Sequence, residues 1–217
     1  MDNKKLKRNL ALITAAILVV DQLVKILVKT HMQIGEDIPL IGTWCHLHFV
    51  ENAGFAFGTS FGGVTGKYIL TLFRVAAVAF IIVLLFKYIQ QGQRRPLIYS
   101  LTLIIAGALG NIIDCLFYGL IFNESYYNVA TLFPPEGGYA PFLQGKVVDM
   151  FYFPLFEFDW PLWMPFVGGN HFEFFSAIFN VADSAVTIGV TWLLIDQLFL
   201  YIKNSKSKKR ENTTKEK

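Results

Sequence analysis

The stretch FNVADSAVTIGV, residues 179–190, opens an apolar run that reads as a membrane helix, yet it carries Asn180, Asp183, Ser184 and Thr187. Their spacing of three and four residues puts them on one helical face. A carboxylate at mid-helix costs about 2.5 to 3.5 kcal/mol on insertion scales, so something must compensate for Asp183 or make use of it.

The surrounding chain is as apolar as that run. Of its 217 residues 54% are hydrophobic and 16% charged, where a soluble domain carries about 25% charge. Four windows reach the roughly 20 residues a bilayer demands: about 9–28, 68–89, 97–119 and 177–202. The expected fold is therefore an α-helical membrane protein, one domain with four transmembrane helices and two long loops, 29–67 and 120–176. Lys4, Lys5, Lys7 and Arg8 precede the first helix, Lys87, Arg94 and Arg95 join the second to the third, and a basic tail, 203–217, follows the fourth. Basic flanks stay cytoplasmic, which gives an N-in, C-in topology with both long loops outside. The net charge of +3 comes largely from these anchors, so the basic residues speak for topology and against nucleic acid. The first apolar run lacks a small-x-small cleavage site and reads as a retained helix. Two cysteines, Cys45 and Cys115, do not make a disulfide framework for a chain this long.

With that topology the intramembrane polar groups converge on one depth. Asp21 and Lys25 lie in the outer half of helix one, Arg74 early in helix two, Asn111 and Asp114 late in helix three, and Asn180 and Asp183 early in helix four. Asp183 is placed about six residues in, on the order of 9 Å below the outer end. The inner halves hold scarcely a strong polar group besides Asp196, which is expected to reach cytoplasmic water. A transport path needs polar lining through both halves or broken helices near the midplane. A pocket open to one side fits a non-enzymatic proton-coupled transporter or sensor poorly, and interhelical hydrogen-bond glue does not account for so many groups at one depth.

Charge pairing narrows the reading further. Asp21 and Lys25 are four apart and pair locally, and Arg74 is available to Asp114. Asp183 then lacks a cation, and the nearest unassigned partner is Asp149 in GKVVDMFYF, an apolar part of the second loop. Two carboxylates in a poorly solvated site tend to share a proton. That state suits an acid/base dyad, in which one carboxylate takes a proton from water while the other protonates a carbonyl. Asn111 and Asn180, each three residues before an Asp, are placed to orient them.

These elements resemble those of the lipoprotein signal peptidases, the signal peptidase II family of bacterial intramembrane aspartic proteases. DQLVK (21–25) resembles its D-Q-x-x-K element, ENAGFAFG (51–58) its N-x-G-x-A-F, GNIID (110–114) its G-N-x-x-D, GKVVD (145–149) its G-x-V-x-D and FNVADS (179–184) its F-N-x-A-D-S. The resemblance implies that Asp149 and Asp183 are the catalytic dyad, and that Asp21, Lys25, Asn52, Gly54, Asn111, Asp114 and Asn180 shape or support the site. It also implies an inner-membrane enzyme active near the outer face on a diacylglyceryl-modified prolipoprotein, working as a monomer and inhibited by globomycin-type cyclic peptides. Cofactor and metal are not required. Two departures stand out: Cys115 occupies the place of an Arg, a change that admits an inactive member, and the 24 residues from Ile121 to Gln144 are inserted before GKVVD.

Two further segments of the loops carry expectations. WCHLHFVENAGFAFG (44–58) alternates β-formers and reads as a short outer sheet, which the resemblance turns into a β-cradle. Its Cys45, His46 and His48 lack converging carboxylates and read as strand residues rather than zinc ligands. FYFPLFEFDWPLWMPFV (151–167) is too broken to span and is expected to be an aromatic interfacial segment on the outer face. H-E-x-x-H does not occur, and GTSFG (58–62), which spells G-x-S-x-G, is not read as a nucleophile elbow. A Ser184/Lys25 nucleophile pair is disfavoured because Lys25 has Asp21 closer.

Overall fold

The computed structural model describes residues 3–53 and 63–215. It contains four helices long and apolar enough to cross a membrane. These are α1 (Asn3–His31), α2 (Gly63–Gln90), α3 (Arg95–Ile113) with its continuation, and α5 (Val181–Lys215). Past Ile113, α3 widens into a π-helical turn, Asp114–Tyr118, and ends in the single turn α4 (Gly119–Ile121). Half of α3's apolar window is buried against about a sixth for each of the others, so α3 is the central post.

The close fit of α3 to α5 and α1 rests on two glycines. A Cβ on Gly107 would lie 2.2 Å from the carbonyl oxygen of Ala182, and one on Gly110 2.6 Å from Asp21 Oδ2. Without a hydrophobic force between helices in lipid, such small contact residues let dispersion and hydrogen bonds act at short range. At the basic end α2 turns into α3 through Gly92, with φ of +65°, and Pro96 stands in the first turn of the new helix, where its missing N–H leaves no bond unmade. Arg94 in that turn pairs with Asp196 of α5, whose side chain is only 6% exposed. Asp196 was expected to reach water; its charge is answered by Arg94 instead.

Opposite that end, strands β1 (Asp37–Ile41), β2 (Cys45–Asn52), β3 (Val147–Tyr152) and β6 (Ile178–Phe179) form an antiparallel sheet in the order β1-β2-β3-β6. Val50 faces Asp149 and Asn52 faces Val147 across β2 and β3. The first four residues of β3 are all buried, because its far face lies on a core of Val28, Met32, Phe49, Tyr118 and Phe122. A run buried in this way, with Asp149 its one polar member, suits a strand covered on both faces. The sheet expected at 44–58 is present as β2 with β1 as its hairpin partner, while Gly54 and the rest of GFAFG lie outside the described residues.

The aromatic segment folds as a separate hairpin of β4 (Phe156–Asp159) and β5 (His171–Phe174). Phe156 stacks on Phe174 at 4.7 Å and Phe158 lies 5.1 Å from Phe172. Leu162, Trp163 and Phe166 stand fully out at its tip, as a headgroup-level anchor would.

Helix limits differ from the apolar windows. The last window counted 177–180 as helix, but Ile178 and Phe179 pair with β3 and α5 begins at Val181. Asp183 therefore stands in the first turn instead of six residues deep. At the other end α5 runs on to Lys215, through the segment expected to be a tail.

Candidate active site

The start of α5 explains the polar residues of FNVADSAV. Asn180 is not a helical residue but the cap: its Oδ1 accepts the Asp183 N–H at 2.9 Å, while its own N–H donates to Asp183 Oδ2 at 3.3 Å. This is the reciprocal arrangement of a capping box. The Ala182 N–H, which has no partner within the helix, donates to Asp21 Oδ1 at 2.8 Å. Ser184 Oγ donates back to the Asn180 carbonyl at 3.1 Å. Negative charge on Asp21 and Asp183 thus lies at a helix N-terminus, where the aligned peptide dipoles favour it.

Lys25 is the hub beneath. Its ammonium, fully buried, spends its three protons on Asp21 Oδ2 at 2.9 Å, Asp114 Oδ2 at 2.7 Å and Asn111 Oδ1 at 2.9 Å. Because an ammonium only donates, Asn111 must turn its oxygen to Lys25 and its amide to Asp183 Oδ1, at 2.7 Å. The same logic orients Asn180. Its oxygen takes a backbone N–H, so its amide faces Asp149 Oδ1 at 2.6 Å, Asn111 Oδ1 at 3.0 Å and the Val148 carbonyl at 3.2 Å. One asparagine therefore holds both carboxylates, Asp183 through its backbone and Asp149 through its side chain.

Asp149 sits on β3, 4% exposed, with Asn52 hydrogen-bonded to its carboxyl from β2. Burial, and then the neighbouring Asp183 charge, push its pKa up to about 7, against the pull of Lys25, Asn180 and Asn52. Asp183 is half-buried and lines an apolar groove of about 440 Å³ with Phe175, Ala177, Phe179, Ser184, Thr187 and Ile188. The arrangement offers a carboxyl that keeps a proton near neutrality, a second carboxylate open to a groove, and fixed amides on both. It can activate water against an amide without a covalent intermediate.

The structure brings Asp21, Lys25, Asn52, Asn111, Asp114, Asn180, Asp149 and Asp183 into one network, while Gly54 lies outside the described residues. The cation on Asp114 is Lys25 in place of the expected Arg74, whose guanidinium donates to Cys115 Sγ at 3.7 Å. Gln22 and Tyr118 had not been singled out. Gln22 Nε2 donates to Asp114 Oδ1 at 2.9 Å, Asp21 Oδ2 at 3.1 Å and the Gly110 carbonyl at 3.2 Å, and its oxygen accepts from Tyr118 OH at 3.2 Å. Its position within DQLVK, on the turn that carries Asp21 and Lys25, was the available signal. The π turn that presents Asp114 and Tyr118 left no trace in the apolar pattern, and such turns tend to occur at functional sites. His46 Nδ1 bonds Asp37 at 2.9 Å, which accounts for it as a strand-pair residue.

A family model described as Signal peptidase (SPase) II matches residues 13–199. The chain is 48% identical over 186 residues to a lipoprotein signal peptidase of Porphyromonas gingivalis, covering 85% of this chain and 80% of that one. It is 34% identical to the lipoprotein signal peptidase of Amoebophilus asiaticus, covering 82% and 73%. Two solved bacterial membrane enzymes, determined by the in meso method at 2.3 Å and 1.9 Å resolution, superpose with TM-scores of 0.56. They are 25% and 27% identical over 88% of this chain, and 87% and 92% of theirs. With four spanning helices and the match running from α1 to α5, the chain belongs to the signal peptidase II family.

Proposed function

We propose that this protein is a membrane aspartic endopeptidase that removes the signal peptide from diacylglyceryl-modified prolipoproteins, cutting on the amino side of the lipidated cysteine. Family membership supports the reaction and substrate class. The observation that carries the catalytic assignment is Asn180 holding Asp149 and Asp183 together, with Asp183 on an apolar groove.

In this reading Asp149 holds the shared proton at neutral pH. Asp183 takes a proton from a water whose oxygen attacks the scissile carbonyl, and Asp149 gives its proton to the carbonyl oxygen. The tetrahedral intermediate collapses as the gem-diol returns a proton to Asp149 and the leaving nitrogen receives the one held by Asp183, which restores the starting state. Lys25 holds Asn111 and Asp114 rather than the substrate. The groove beside Asp183 accepts apolar substrate from the lipid phase, and the aromatic hairpin seats the site at the outer surface of the inner membrane. Globomycin-type cyclic peptides inhibit by occupying the same cleft, and one chain suffices for the reaction.

The test is incubation of purified protein in detergent with a lipidated prolipoprotein, beside Asp149→Asn and Asp183→Asn, with product masses measured. A single cut before the lipidated cysteine that both substitutions abolish is the expected result. Cleavage surviving in either variant moves the chemistry to other residues.

A further inference from the structure

The inserted segment encloses a second charged centre that the reaction does not use. Lys29 near the end of α1 is fully buried and pairs with Glu51 of β2, whose side chain is 3% exposed. Ser125, from the insertion, lies between them: Lys29 Nζ donates to its Oγ at 2.7 Å, and that hydroxyl donates to Glu51 Oε1 at 3.0 Å. Lys146 reaches Glu51 Oε2 at 3.2 Å and Glu124 at 3.2 Å. The rings of Phe122 and Tyr139 lie 5.3 and 5.1 Å from the Lys29 ammonium, within cation–π range. Tyr139 OH accepts the Lys146 N–H at 2.7 Å, and Ala130 N–H donates to the Lys29 carbonyl at 3.2 Å. Burial works against the charge on Glu51, but Lys29 and Lys146 outweigh it and hold the group below the usual glutamate range.

This centre is one residue from the dyad. Successive side chains of a strand point to opposite faces, so Glu51 and Asn52 look in opposite directions from the end of β2. Glu51 stands opposite Val148 on the face covered by the insertion. Asn52 stands opposite Val147 on the face shared with Val50 and Asp149, a diagonal neighbour of Asp149. Where Glu51 is pinned, Asn52 is aimed.

We propose that Glu51, clamped by Lys29, Lys146 and the insertion's Ser125, is a positioning residue that sets Asn52 against Asp149, so that the insertion is a fixed wall of the reaction site. The proposal rests on the peptidase reading for its consequence in rate. Its geometry predicts an effect whose sign separates positioning from simple electrostatics. Asp149 is faced by Asp183 from α5, Lys25 from α1 and, through the Val148 N–H, Asp114 from the π turn. Glu51 is faced by Lys29, Lys146, Glu124 and, from α2, Lys67. Removing the Glu51 charge acts through space to favour ionised Asp149, which moves its titration to lower pH. Releasing Asn52 removes a hydrogen bond from ionised Asp149 and moves it to higher pH.

The experiment compares Glu51→Gln, Ser125→Ala, Asn52→Ala and Glu51→Gln with Asn52→Ala combined. The readouts are kcat and KM for lipidated substrate across pH. Glu51→Gln is expected to lower kcat about tenfold with KM unchanged and to move the alkaline limb of kcat to higher pH. Ser125→Ala should do the same more weakly, and it covers the case in which Glu51→Gln does not fold. Adding Glu51→Gln to Asn52→Ala should lower kcat no further and, with only the through-space effect left, should not move the limb to higher pH. An infrared titration of the Asp149 carboxyl in the Asp183→Asn protein, with and without Glu51→Gln, reads the same shift without turnover. A failure of the peptidase reading therefore leaves this measurement standing. A limb and carboxyl titration that stay in place or move to lower pH in folded variants overturn the proposal.

Discussion

A carboxyl that titrates near 7 in the folded protein and near 3.8 in the unfolded chain makes Asp149 a liability to the fold as well as the reagent of the proposed reaction. The folded state binds a proton there between those pH values that the unfolded state has released. Stability from this group is therefore fully present below pH 3.8 and is lost as pH rises through about 7. Asp149→Asn removes the penalty while keeping an oxygen for the Asn180 amide. The variant is expected to melt a few degrees above the unaltered protein at pH 8, with the gap closing toward pH 4, in a detergent thermal-shift series. A variant that melts lower at pH 8 would show that the carboxylate is satisfied better than its burial implies. For the same reason the proposed mechanism predicts that kcat falls as pH rises through about 7, where Asp149 loses the proton that the proposal has it give to the carbonyl. Lys25 behaves in the opposite sense. Lys25→Met leaves the buried Asp21 and Asp114 carboxylates facing one another without their ammonium, a loss on the order of 3 to 5 kcal/mol, which chemical denaturation at pH 7 would measure.

At the scale of elements, α5 and β3 are joined by one residue with two separable duties. Asn180 caps α5 through its oxygen and holds Asp149 through its amide. Serine is an equally good cap but cannot offer the amide. Asn180→Ser should lose cleavage and melt somewhat lower, because Asp149 and the Val148 carbonyl lose the buried amide, while Asn180→Ala should lose about 1 kcal/mol more for the missing cap. Equal melting of the two variants would mean that the cap contributes little. Asn180 also shows what could be read in advance. Asp183, Asn180 and Asp149 were recognisable because apolar surroundings make a lone carboxylate conspicuous. The helix start was not, because Ile178 and Phe179 are as apolar as the helix they precede and only their pairing with β3 assigns them to the sheet. The partner of Asp114 was misread for a related reason: a lysine four residues from one aspartate was taken as satisfied, although an ammonium has protons for three acceptors. Lys29, Glu51 and Ser125 come from three distant segments, and nothing local in any of them signals the others.

For the molecule as a whole, four spanning helices put both termini on one side of the membrane, and the remaining question is which side. The basic residues of the first turns of α1, those around the α2–α3 turn, and Lys203 and Lys206 near the end of α5 lie toward the same end as the Arg94–Asp196 pair. The sheet, the insertion and the aromatic hairpin share the other. In the proposed topology, basic flanks retained in the cytoplasm would put the proposed dyad near the outer surface, where the lipidated precursor of the proposed reaction would arrive after export. Tyr127 in the insertion is 91% exposed, Lys203 on α5 is exposed, and the native cysteines Cys45 and Cys115 are both buried. Tyr127→Cys should react with a membrane-impermeant maleimide on intact spheroplasts, and Lys203→Cys only after the membrane is opened. The reverse pattern would put Asp149 and Asp183 at the cytoplasmic surface, where an exported precursor no longer presents its cleavage site, and the peptidase reading would fall with the topology.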